Sequence, residues 1–363
     1  MKNIIIHFPF QINRKRKAAS QLRPLKIIST FESMGYHVDL IEGYGKERKA
    51  AIKEVKRKIS SGVKYDFLYS ECSTIPTLLT EKNHLPTHPF IDFSFFRFCK
   101  MQNIKIGLFY RDIYWCFPEN KKGWKSKVAY YFYKYDLYMY KKYLSAIFVP
   151  SFEMMEYVPY NLNLPVFELY PGCDIKQEEN NNAKSDGLNI LYVGGVGDHY
   201  DLHMCLNVIK QNPRIKFTLC CRKDDWETAK SSYKDCISDN VEVVHQSGAE
   251  LEPLYQEADL FCLFVEPGEY RKFAVPFKLF ETIGYGCPIL SSKGTWVAKF
   301  VEESKIGYVC EYKEDDLKDL LDRLSQNRQE IAQIKDNIKN IAEMHTWKAR
   351  CNKIAQTLQN EKD

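Results

Sequence analysis

The chain reads as an α/β protein of two Rossmann-like, doubly wound parallel sheets that face one another across a deep interdomain cleft. Three observations predict this. Short β-branched or aromatic runs alternate with longer amphipathic stretches throughout, the pattern of parallel strands joined by helices. The alternation is interrupted at 175–187, a polar, Asn-rich stretch, and then begins afresh. Finally, 363 residues, 45% of them apolar, suffice for about two domains, each with its own core.

In the first half, strands are expected near 3–8, 37–42, 65–70, 104–110, 145–150 and 166–170, with helices at 23–35, 46–61 and 124–143. The second half restarts with strands near 189–194, 215–221, 241–245, 259–264, 287–291 and 307–310. The domains are therefore placed at 1–174 and 188–343, with 175–187 as linker and 344–363 as a C-terminal helix. Ligands of doubly wound sheets bind outside the carboxyl ends of the strands, so facing sheets put the site in the cleft.

Composition excludes several classes. Aromatic residues at 14% and charged residues at 27% fit a globular chain, neither disordered nor fibrous. No apolar run is long enough to span a membrane, and the opening Ile4-Ile5-Ile6-His7-Phe8-Pro9-Phe10 has its basic cluster on the wrong side for a secretory signal, so a cytoplasmic location is expected. The twelve Cys include no CxxC and no Cys/His pair at zinc spacing, and point to reduced thiols used as small apolar residues. The eight His are dispersed, and no catalytic metal is expected.

The net charge of +5 conceals an asymmetry: residues 1–175 hold 27 Lys+Arg against 16 Asp+Glu, the remainder 25 against 31. Sixteen of the 24 Tyr fall in the same basic half. Such a half suits an anionic partner such as a membrane surface, a phosphorylated lipid or nucleic acid, and the membrane surface is the partner carried forward.

The most informative segment runs from Ala274 to Leu290. Pro276 suits the first position of a helix, where its missing N–H is not needed. Free amides around Phe277 and Lys278 then form an anion site, with the Lys278 charge beside it. Glu281, one turn further, is placed to bond vicinal hydroxyls such as a ribose diol, and Gly284 and Gly286 end the helix. The alternative is a helix cap, a Lys278–Glu281 surface pair and a tight turn. A second segment, Leu191-Tyr192-Val193-Gly194-Gly195-Val196-Gly197-Asp198, carries a strand into a Gly-rich turn that admits a phosphate or sugar close to the backbone. It lacks GxGxxG, and the next strand ends in Arg222-Lys223 where a dinucleotide fold places an acid. These two cations either hold a diphosphate or form a solvated strand end.

With Leu254-Tyr255-Gln256-Glu257-Ala258-Asp259-Leu260 and His345-Thr346-Trp347, these blocks make residues 188–348 resemble the nucleotide-binding domain of GT-B glycosyltransferases. The closest resemblance is to the retaining, family-4-like (group 1) enzymes of bacterial surface polysaccharide synthesis. The resemblance implies that Glu281 binds the nucleotide ribose, that the last helix crosses back to the first domain, and that the first domain binds the acceptor. Two departures stand out. Phe273 replaces the Glu that often contacts the donor sugar, and Gly195 and Tyr200 occupy the places of the usual diphosphate-binding Arg and Lys. Arg222, Lys223 and Lys278 become the substitutes.

In the first half, Ile106 to Trp115 lies where the family has a strand ending in His-Asp; Arg111 stands for the His and Asp112 is retained. Asp112 either orients or deprotonates an acceptor hydroxyl, or forms an ion pair or helix cap. Arg14-Lys15-Arg16-Lys17 and Arg23 are placed on a loop after the first strand, either solvated or holding an acceptor's phosphates. In 124–143, Trp124, Val128, Tyr131, Phe132, Tyr135, Tyr138 and Met139 share one stripe. The helix either packs on its own sheet with snorkelling lysines or lies at a membrane interface, and both hold if the stripe packs inward while Tyr130, Tyr133, Tyr140 and the lysines, with Lys121 and Lys122, meet lipid headgroups.

The function expected is transfer of a hexose from a UDP- or GDP-linked donor to a glycan or lipid-linked acceptor. The reaction is expected to be retaining and metal-independent, with no cofactor beyond the donor and no nucleic-acid partner. Asp112, Arg222 and Lys278 are the catalytic candidates, and Gly194, Gly195, Lys223, Pro276, Phe277 and Glu281 bind the donor. A sugar-nucleotide epimerase of the same fold and a non-catalytic polyanion binder are the rival readings.

Overall fold

A computed structural model of the chain describes residues 2–15, 18–117, 123–176, 187–197 and 200–359. The chain divides into two compact units, Met1–Pro171 with Trp347–Asp363, and Gly172–Thr346.

The first unit runs β1 (Lys2–His7), α1 (Ala19–Ser33), β2 (Tyr36–Ile41), α2 (Gly45–Ser60), β3 (Phe67–Glu71), α3 (Ile91–Met101), β4 (Lys105–Phe109), α4 (Trp124–Tyr143), β5 (Ala146–Val149) and β6 (Val166–Glu168). All pairings in its sheet are parallel, in the order β2-β1-β3-β4-β5-β6. Ile4, Ile5 and Ile6 are all fully buried, although neighbours on a strand point to opposite faces, because helices cover both sides of a parallel sheet. The chain leaves β1 for β2 and returns on β1's other side as β3. The topological switch therefore lies between the carboxyl ends of β1 and β3.

Helix α1 begins four residues before the start read from sequence and includes Pro24. A proline there removes the N–H that the Ser20 carbonyl would accept. The Arg111 side chain supplies the replacement, donating Nη1 to Ser20 O at 3.2 Å. Arg23 is consequently in a helix and 5% exposed, not on a loop. Arg14 pairs with Glu42, while Arg16 and Lys17 lie outside the described residues.

Helix α4 presents the face opposite to the one expected. Its buried residues are Tyr133, Asp136, Leu137, Tyr140 and Tyr143, and the Trp124, Val128, Tyr131 and Tyr138 stripe is exposed. The tyrosines turn inward because their hydroxyls find partners: Tyr133 donates to Thr74 O at 2.6 Å, and Tyr140 lies 3.3 Å from Thr77 Oγ1. Lys121 and Lys122 lie outside the described residues.

The second unit runs β7 (Leu188–Val193), α5 (His203–Lys210), β8 (Ile215–Cys220), α6 (Lys223–Ala229), β9 (Val241–Val244), α7 (Leu251–Glu257), β10 (Leu260–Leu263), α8 (Phe277–Gly284), β11 (Ile289–Ser292), α9 (Trp296–Ser304), β12 (Gly307–Cys310), α10 (Glu314–Gln326) and α11 (Arg328–Ala342). Its sheet is also parallel, in the order β12-β11-β10-β7-β8-β9, so the switch lies between β7 and β10. At the opposite edge, buried Asp259 accepts the Asn189 amide at 2.9 Å and Arg328 Nη1 at 2.8 Å, tying the starts of β7, β10 and α11 together. The chain then returns to the first unit as α12 (Trp347–Leu358), where Cys351 packs on Ile27 and Arg350 Nε donates to Pro171 O at 3.1 Å. Within the sequence-read linker, Lys176 N donates to Gly284 O at 2.9 Å, and 177–186 lie outside the described residues.

Candidate functional site

In the second unit, helix α8 follows β10, so its amino end lies at the carboxyl edge of the sheet. The helix starts at Phe277, and Pro276 is its N-cap, with φ −73° and ψ 137°, rather than its first residue as the sequence suggested. Extended ψ turns the chain into the helix one residue later. The Leu279 amide closes the first turn on Pro276 O at 3.2 Å, and the amides of Phe277 and Lys278 precede it at this end of the helix. Lys278 and Glu281, one turn apart and both about 28–29% exposed, are joined at 2.5 Å. The surface-pair geometry is therefore present, and it aligns a cation and a carboxylate beside those amides. Thr282 Oγ1 donates back to the Lys278 carbonyl at 2.7 Å, and Tyr285 at the helix end stacks on Tyr255 at 4.1 Å, holding α8 against the unit's core. Gly284 is required by close approach: a Cβ there would sit 2.4 Å from the Asp174 carbonyl.

The turn after β7 is shaped by its own tyrosine. Tyr192 Oη donates to Gly195 O at 2.6 Å, and a Cβ on Gly194 would fall 2.5 Å from that hydroxyl. Burial pushes the Tyr192 phenol well above its ordinary range, which keeps it neutral as a donor. A Cβ on Gly195 would come 3.3 Å from the Tyr200 ring, so Tyr200 lies against the turn. Asp198 lies outside the described residues. Arg222 caps the start of α6 after β8, beside Lys223; both are exposed and neither side chain has a hydrogen bond or ion pair among the described residues. The Lys278 charge acts on Cys220, the last residue of β8, drawing its thiol down against the larger upward push of burial. This links α8 to the strand end that carries Arg222.

Sequence reading missed Arg271, whose guanidinium lies 5.7 Å from the centre of the Tyr200 ring. The loop after β10 thus adds a cation at the switch point. Its only sequence signal was the basic pair Arg271-Lys272 before Phe273. Phe273 itself is 2% exposed and packs edge-on against Tyr270, so it is a core residue of this loop.

In the first unit, Asp112 Oδ1 accepts the amides of Ile113 at 2.6 Å and Tyr114 at 3.0 Å, the cap of a short turn after β4. Arg111 pairs with Glu71 at 3.0 Å. Glu71, ending β3, also receives Arg23 Nε at 3.0 Å and Tyr69 Oη at 2.8 Å, so one buried carboxylate stands between two guanidinium groups. Burial would lower the Arg23 pKa, but Glu71 and Tyr69 raise it overall. Beside it, His7 bridges Ser70 and Asp92 at 2.9 Å each, and Arg48 holds Asp92 through two bonds of 3.0 and 3.1 Å. Burial would raise the Asp92 carboxyl; His7 and Arg48 overcome it and hold it below the usual range. Neither network was legible in the sequence, because their members are spread over as many as 88 positions (Arg23 to Arg111).

Two doubly wound parallel sheets, with donors and cations gathered at the switch-point edge of the second, define the GT-B class. Residues 174–341 match the family of glycosyl transferases group 1, and that match together with the fold supports a GT-B glycosyltransferase of this group. Among solved structures the chain is similar to HepE of Anabaena in complex with UDP and glucose (12% identity, 98% of this chain and 99% of that one, TM-score 0.64). It is similar also to sucrose-phosphate synthase of Thermosynechococcus elongatus (11%, 98% and 98%, 0.64). A third is WaaG, a glycosyltransferase involved in lipopolysaccharide biosynthesis (14%, 98% and 99%, 0.61). At these identities the likeness is one of fold. No curated protein sequence matches the chain. No helix among the described residues is long and apolar enough to cross a membrane.

Proposed function

We propose that the protein transfers a hexose from a UDP- or GDP-linked donor to a glycan acceptor carried on a lipid at a membrane face, as a step of surface polysaccharide synthesis. The observation that carries this reading is the amino end of α8, where a helix start, Lys278 and Glu281 are combined within one turn of a group 1 segment. Glu281 takes the ribose hydroxyls, which frees Lys278 from its pair to face the diphosphate. Arg222, Lys223 and Arg271 complete the positive field, and Gly194 and Gly195 let the donor approach the backbone. As the glycosidic bond breaks, negative charge grows on the leaving diphosphate, and prearranged donors stabilise it more than they stabilise the bound donor. Phe273 removes the carboxylate that would touch the sugar, so catalysis rests on the leaving-group side, with retention of configuration and no metal. Asp112 orients the acceptor hydroxyl from the first unit. The UDP held by HepE in its structure favours a uridine donor among the candidates.

A thermal-shift screen of UDP, GDP, CDP and their sugars tests the reading. Stabilisation by one nucleoside diphosphate and its sugars is the expected result, and no shift with any of them removes it. Incubating the stabilising sugar nucleotide without acceptor separates transfer from epimerisation, since an epimerase converts it alone.

A further inference from the structure

The structure carries one inference about a surface that the donor site does not use. Helix α4 exposes Trp124 (71%), Val128 (44%), Tyr131 (72%) and Tyr138 (61%). At about 100° per residue these four fall within an arc of about 80°, and they extend about 21 Å along the axis. Large apolar side chains on a soluble surface are normally scattered singly, and an aligned strip marks an interaction face. The helix also carries Lys125, Lys127, Lys134, Lys141 and Lys142, and its one acid, Asp136, is buried in the core. Its solvent side is therefore purely cationic.

We infer that the outer face of α4 docks on an anionic phospholipid leaflet, with Trp124, Tyr131 and Tyr138 at headgroup depth and the lysines on lipid phosphates. Trp and Tyr are the side chains suited to that depth, apolar in body and polar at one end. A second copy of this chain fits worse, since two such faces would set five lysines against five. The inference deepens the membrane location in the proposed function and rests on it only there. Vesicle binding is measured without donor, so failure in the nucleotide screen and failure here are separate results.

The test is co-sedimentation of the full chain with vesicles of phosphatidylcholine alone and of phosphatidylcholine with phosphatidylglycerol, at low and high salt. The expected result is binding to the anionic vesicles only, released by salt, with a blue shift of tryptophan emission that Trp124→Phe abolishes. Trp115, Trp296 and Trp347 are already buried and Trp226 half-buried, so Trp124 dominates that shift. Each lysine near the leaflet is worth up to about 1 kcal/mol, or about fivefold, so Lys125→Gln with Lys127→Gln should weaken binding by up to about 25-fold. Tyr131→Ser with Tyr138→Ser should weaken it comparably; both positions are exposed, so melting is expected to be unchanged. Vesicle binding of wild-type strength in both double variants overturns the inference, as does binding to neither vesicle. So does an oligomer that the tyrosine variant dissolves while vesicle binding persists.

Discussion

Asp136 makes the stability of α4 depend on pH in the direction opposite to most carboxylates. Its side chain is fully enclosed between α4 and the core; Oδ2 accepts the Thr77 amide at 2.7 Å, and Oδ1 has no partner. Burial, with a smaller contribution from Asp92, pushes the carboxyl up to about 7, against the Thr77 hydrogen bonds that favour the charged form. The unfolded value is about 3.9. Between these values the folded chain holds a proton that the unfolded chain has released, so stability falls as pH rises from about 4 through 7. Three pH units at about 1.4 kcal/mol each give a loss of up to about 4 kcal/mol, complete by about pH 8. Asp136→Asn keeps an oxygen for the Thr77 amide and cannot ionise. The variant should therefore match the wild type below about pH 4 and exceed it by up to about 4 kcal/mol at pH 8. Hydrogen exchange of peptides covering α4, converted to opening free energies at several pH values, reads this without assuming that the whole chain unfolds in one step. Any other group that changes charge in this window is common to both proteins, and the difference between them cancels it. Parallel pH profiles for wild type and Asp136→Asn would refute the reasoning.

Three further outcomes bear on the site. Glu281→Ala is expected to weaken nucleotide binding by about 10- to 100-fold, the loss of hydrogen bonds to a charged acceptor worth about 1.5–3 kcal/mol, with melting in the absence of ligand unchanged; titration calorimetry showing wild-type affinity removes the ribose role. Arg222→Gln with Lys223→Gln should lower affinity for the nucleoside diphosphate more than for the nucleoside, and an equal effect on both would take these residues off the phosphates. Asp112→Asn retains the oxygen that caps the turn of Tyr114, so a fall in turnover of about 100-fold with unchanged nucleotide affinity reports on the carboxylate itself, whereas normal turnover leaves only the cap.

What the sequence determined by itself is the arrangement of strands and the character of the second unit. All twelve strands lie within about two residues of their expected positions, because strands buried on both faces must be continuous apolar runs and so announce themselves. The Pro276 to Glu281 turn was equally legible, since its parts are adjacent in the chain and a helix start imposes its own geometry. Tertiary structure decided the rest. Pro24 sits inside α1 because Arg111, 87 positions away, takes up the carbonyl it orphans. Glu71 and Asp92 draw cations from distant helices into the sheet's edge. Most plainly, α4 has tyrosines on nearly every side, and a tyrosine is apolar and polar at once, so its periodicity is compatible with either face turned inward. The choice fell to the face whose hydroxyls found Thr74 and Thr77, partners on a loop that only the folded chain brings there, and the other face was left to the solvent.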